Sequence, residues 1–81
     1  MVYVTEDWDG FKAYAENCRV GTFQIKDVVE GVEFRVRAGR LGYIGIFTEE
    51  DDENLKLMLK FCRVQGFIRV ETTLSDELFH I

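Results

Sequence analysis

The stretch "EGVEFRVRAGRLGYIGIF", residues 30–47, decides the fold. Val32, Phe34, Val36 and Ala38 alternate with Glu33, Arg35 and Arg37, so one face of this segment is apolar and the other charged. That period of two is the pattern of a half-buried β-strand. Glu30-Gly31 ahead of it is a two-residue hairpin turn, with glycine supplying the positive φ such turns need. "RAGR" at 37–40 makes a second turn, and "LGYIGIF" at 41–47 is apolar on both parities, as an interior strand is. Its two glycines allow close approach or strong twist.

Working backward, Phe23, Ile25 and the Val28-Val29 pair form the preceding strand. A tight turn at Glu30-Gly31 sets Ile25 opposite Val36 and Lys26 opposite Arg35. Asp27 then falls on the apolar side, which a bulge near 26–27 would correct. Farther out, "VYV" at 2–4 is a short strand, and Thr5 is the expected N-cap of a helix over about 6–18. Trp8, Phe11, Ala15 and Cys18 share one face of that helix, and Gly10 costs it about 1 kcal/mol. Thr48 and Asp51 open a second helix in a capping-box-like pattern, with Leu55, Met58, Leu59 and Cys62 as its apolar stripe. Lys60 and Arg63 suit its negative end, Gly66 its C-cap, and "FIRVETT" at 67–73 is the last strand.

The predicted order is β-α-β-β-β-α-β, an α+β two-layer sandwich in a single domain, 1–81, with residues 74–81 as a C-terminal arm. "NCRVGTF" at 17–23 is echoed by "FCRVQGF" at 61–67, as though one helix-to-strand unit occurred twice. In element order the chain resembles a ferredoxin-like sandwich with one added strand. That resemblance implies a mostly antiparallel five-stranded sheet with two antiparallel helices on one face. It also places Cys18 and Cys62 at opposite ends, beyond the roughly 7 Å between Cα atoms that a disulfide spans. Both thiols are expected to be free and buried.

Composition limits the function classes. The 81 residues are 47% hydrophobic, which excludes disorder. The net charge of −5 argues against nucleic acid as the default partner. Charge is nevertheless uneven: 5–17 carries −3, while 19–41 carries +2 through Arg19, Lys26, Arg35, Arg37 and Arg40. No apolar run approaches 18 residues and no signal peptide is evident, so a cytoplasmic protein without membrane contact is expected.

No motif carries catalysis. "EEDDEN" at 49–54 lacks the spacing and turn glycine of a calcium loop and reads as charge suited to a helix N-terminus. "DWDG" at 7–10 lacks a distal Glu, and His80 has no positioned partner. "GRLGYIG" at 39–45 enters a strand and has no P-loop Lys. "RLGYIGIF" occupies the place of the RNA-binding RNP1 motif in an RRM, yet its aromatic spacing slips. The acids at 49–53 also stand where an acetyltransferase of the GNAT type holds pyrophosphate, and they would repel it. A protein without catalytic activity, cofactor or metal is therefore expected.

Two surfaces remain: a polar sheet face with Gln24, Lys26, Arg35, Arg37 and Arg69, and the apolar arm with Leu74, Leu78, Phe79 and Ile81. The resulting expectation is a small protein-interaction module, homodimeric through an edge strand or the polar sheet face. Its candidate contact residues are Arg35, Arg37, Arg40, Tyr43, Arg69, Leu78, Phe79 and Ile81. One alternative is a small-ligand regulatory domain resembling the ACT kind, with the glycines at 39, 42 and 45 as the place for a ligand. The other is nucleic-acid binding through Arg35, Arg37, Arg40 and Tyr43.

Overall fold

Three consecutive strands form an antiparallel meander at the centre of the molecule: β2 (Gly21–Val28), β3 (Gly31–Ala38) and β4 (Leu41–Phe47). The structure is a computed structural model that describes residues 2–70. Before the meander come β1 (Tyr3–Thr5) and α1 (Trp8–Ala15). After it come a short 3-10 turn (Glu49–Asp51), α2 (Asp52–Gln65) and β5 (Ile68–Arg69). The strand order is β1-β4-β3-β2-β5, so the first and last strands flank the meander.

The β2–β3 hairpin turns one residue earlier than the sequence suggests. Val28 pairs with Gly31, leaving Val29 and Glu30 as the turn, and the register runs unbroken to Gly21 opposite Ala38. Lys26 therefore faces Glu33, not Arg35, and their charged ends lie 3.5 Å apart. Ile25 faces Phe34 and Phe23 faces Val36 on the core side. This register exchanges a like-charge pair for an ion pair and keeps the apolar residues together. Asp27 needs no bulge, because it sits exposed near the turn of the hairpin. Gly31 has φ 151°, and a Cβ there would land on the Phe47 carbonyl oxygen, so the close approach of β3 to the end of β4 requires glycine.

The sheet is mixed, which corrects the mostly antiparallel, ferredoxin-like expectation. β1 pairs parallel with β4, and β5 pairs parallel with β2. Four strands thus point one way and β3 alone points the other. Each helix returns the chain across the sheet to a strand of the same sense, so both helices run back against those four strands. They lie in the same sense as each other, where antiparallel helices were expected. Cys18 and Cys62 consequently fall toward the same end of the molecule, and both are free thiols. Gly21 and Phe67 meet at that end, where a Cβ on Gly21 would come within 2.9 Å of the Phe67 ring.

The sequence echo does not mark equivalent positions. Cys62 lies inside α2, whereas α1 ends at Ala15 and Cys18 lies beyond it. Phe23 pairs with Arg69, so the partner position of Phe67 is Gly21 rather than the echoed Phe23. The first cap also moves inward: Asp7 accepts from the Gly10 amide at 3.1 Å, and Thr5 Oγ1 accepts from the Asp7 amide at 3.0 Å. Gly66 caps α2 with φ 77°, as its sequence position suggests.

Helices and sheet share one core. Phe11 and Ala15 of α1 and Leu55, Met58, Leu59 and Cys62 of α2 pack on Phe23, Ile25, Phe34, Val36, Tyr43 and Phe47. Trp8 bridges the layers, with ring centroids 5.2 Å from Tyr43, 5.6 Å from Phe11 and 5.5 Å from Phe61. Gly45 leaves room for these rings, since a Cβ on it would stand 2.7 Å from the Tyr43 hydroxyl. The expected continuation of the last strand to residue 73 and the arm at 74–81, with Leu78, Phe79, His80 and Ile81, lie outside the described residues. Among the described residues no helix is long and apolar enough to cross a membrane.

Candidate functional site

With both helices on one side, none of the described elements covers the other side of the sheet. Strand alternation assigns it Thr22, Gln24 and Lys26 from β2, Glu33, Arg35 and Arg37 from β3, and Gly42, Ile44 and Ile46 from β4. Val4 joins them beside Gly42, and Ile68 beside Thr22. The face is therefore divided. Its β2–β3 half is charged, and its two margins are apolar.

The charged half centres on Glu33, whose side chain is mostly buried between two cations. Its Oε1 accepts from Arg35 Nε at 2.6 Å and lies 3.5 Å from Lys26 Nζ. Arg37 donates its Nε to the Gly39 carbonyl at 3.2 Å, which holds the guanidinium beside the second turn. Three cations thus stand against one carboxylate.

Across the sheet, from β1 over this strip to the end of β5, the surface sinks into a shallow depression of about 280 Å³. Val2, Val4, Ile44 and Val70 supply apolar walls, Gly42 part of its floor, and Arg35 and Arg37 its cationic rim. Gly42 is what keeps it open: a Cβ there would be only 3.4 Å from Val2 Cγ1, in ordinary contact, and a larger group would occupy the space. Val4 is 66% exposed, Ile46 50% and Ile68 64%, so the apolar margins are open to solvent. Exposed apolar groups adjoining charges in this way are characteristic of docking surfaces.

The residues singled out from sequence divide among different places. Arg35 and Arg37 do share the uncovered face. Arg40 is exposed in the β3–β4 turn, where its amide donates to the Tyr14 hydroxyl at 3.5 Å. Tyr43 belongs to the helix side, buried against Trp8 and Phe11, and its hydroxyl titrates above the ordinary value through burial, with Glu6 adding to the effect. Arg69 pairs with Phe23 and so also takes helix-side parity, at the sheet edge. Leu78, Phe79 and Ile81 lie outside the described residues.

Sequence reasoning missed Val2, Val4, Ile44 and Val70. The signal for Ile44 was present in "LGYIGIF", whose second parity is as apolar as the first, but an interior strand covered on both sides reads identically. The glycines at 39, 42 and 45 do not form one site either. Gly39 makes a turn with φ 58°, Gly42 opens on the uncovered face, and Gly45 faces the helices.

A second apolar surface lies between the helices, where Leu57 is exposed beside Phe61 and Lys12 Nζ stands 5.9 Å from the Phe61 ring. Among the described residues no group of His, Cys, Asp and Glu could hold a metal ion. Comparison with known protein families, curated proteins and solved structures finds no match to this chain.

Proposed function

We propose that this chain is a non-catalytic protein-interaction module that docks through the uncovered sheet face, with a second copy of itself as the partner. The observation that carries this reading is the juxtaposition of the apolar depression with Arg35 and Arg37. A sheet with helices on one side only must either solvate its other face or cover it. Here Val4, Ile44, Ile46 and Ile68 make the solvated state costly, while the cations select an acidic or amphipathic surface. A second copy presents the same apolar margins and, between its cations, the Glu33 carboxylate. Two copies meeting face to face would bury both apolar margins, and the interaction would form in the cytoplasm. Light scattering on the intact chain tests this, by the concentration dependence of its mass.

The same depression is the place for a small ligand if the domain acts as an ACT-like regulator, and Gly42 rather than all three glycines would then admit it. Nucleic acid gains less support. Base stacking needs aromatic rings on the sheet face, and among the described residues that face has none.

A further inference from the structure

We propose that residues 71–81 of this chain are a ligand for its own uncovered sheet face, occupying the depression in cis and competing with a second copy for it. This rests on reading the face as a docking surface and names the element that regulates it.

The chain leaves the described fold at the right place. Val70 donates its amide to the Phe23 carbonyl at 2.9 Å and itself lines the depression, so residue 71 starts at the site's margin. The eleven residues "ETTLSDELFHI" reach about 36 Å when extended. A five-stranded sheet is about 19 Å across between its outer strands. No part of the face is out of range, and no second copy is required to deliver the segment.

The chemistry matches on both counts. Leu74, Leu78, Phe79 and Ile81 are apolar, in a stretch whose charged residues are Glu71, Asp76 and Glu77, all acids, with no Lys or Arg. The face presents apolar Val2, Val4 and Ile44 beside Lys26, Arg35 and Arg37, with Glu33 held by two of these cations and Glu6 near Ile44 and Ile46. A tethered ligand has an effective concentration in the millimolar range, so weak contacts suffice to hold it. A partner must then displace it, and apparent affinity falls by the fraction of molecules in which the face is free.

The test uses the intact, isotope-labelled chain. Nuclear Overhauser contacts are measured from the side chains of Leu74, Leu78 and Ile81, both in a uniformly labelled sample and in a half-labelled mixture that reports only contacts between copies. Contacts to Val4 and Ile44 in the first sample and none in the second are expected. Their absence from both, or their presence between copies only, overturns the proposal. The double variant Leu78→Ser, Phe79→Ser is expected to lose these contacts and to dimerise about tenfold more tightly or better. Weaker dimerisation of that variant overturns it as well, since the segment would then serve the partner. Cis contacts in a chain that stays monomeric, with or without the two serines, support this inference while counting against self-association.

Discussion

Glu33 and Arg35, two residues apart on β3, are joined by a 2.6 Å contact from Nε to Oε1 on the uncovered side of the sheet. One carboxylate thereby holds Arg35 and, at 3.5 Å, Lys26 in fixed positions. Both cations remain partly in water, so the pairs orient charge more than they stabilise the fold. Glu33→Gln is expected to cost about 1 kcal/mol in urea denaturation. It also leaves three unbalanced cations on the face, so association through that face should become more sensitive to salt. Unchanged salt dependence would remove these cations from the contact.

The two glycines of β4 differ in consequence. Gly45→Ala drives a methyl into the Tyr43 hydroxyl and the Phe47 ring, at 2.7 and 3.0 Å. A loss of about 1–3 kcal/mol is expected from that overpacking. Gly42→Ala meets only ordinary contacts, the nearest at 3.4 Å, and should leave the urea midpoint nearly unchanged. Gly42→Leu should preserve folding and close the depression. Equal costs for the two alanine variants would contradict the assignment of their faces.

Cys62 has no exposed surface, and burial pushes its thiol up to about 12 from an ordinary value of 9.0. The unfolded chain therefore ionises this thiol first as pH rises. The stability at stake is complete below about pH 9 and is lost progressively toward pH 12, on the order of 4 kcal/mol for three units. Cys62→Ala would be less stable at neutral pH because it leaves a cavity, yet its stability should fall less steeply between those values. At pH 8 iodoacetamide should modify Cys18 and spare Cys62 in the folded chain. Equal labelling would show that α2 does not pack as described.

How much of this was legible in the sequence depended on the strength of each local pattern. β3 alternates so regularly that its inner residues, Phe34 and Val36, are assigned without the structure. α2 likewise announces Leu55, Met58, Leu59 and Cys62, and its glycine cap. The hairpin register was not legible because Gly31 suits either the turn or the strand, and only the Lys26–Glu33 pairing separates the two. Nor was the sense of the sheet. β1 and β5 comprise three residues and two, too few for any periodicity, and their parallel pairing follows from where the helices carry the chain. The candidate face was half legible. Arg35 and Arg37 stand in a strand whose parity is plain, whereas Tyr43 and Ile44 stand in one where both parities are apolar. Tyr43 goes to the core because Trp8 and Phe11 supply an aromatic pocket there, and Ile44 is left outside.

Ile44 is the natural probe of that outside surface, since it lines the depression and takes no part in the buried core. Ile44→Asp places a carboxylate among the apolar walls and within the field of Arg35 and Arg37. Near-neutral stability is expected, because the residue is half-exposed and β4 keeps its ladder to β3.

The most direct test of the central claim is the light-scattering mass of the intact chain and of Ile44→Asp over a wide concentration range. The intact chain is predicted to pass from the monomer mass toward twice that value as concentration rises, while Ile44→Asp, folded by circular dichroism, remains monomeric. An intact chain that is monomeric throughout and stays so with Leu78→Ser, Phe79→Ser, or an Ile44→Asp variant that dimerises as readily as its parent, would contradict self-association through the uncovered face.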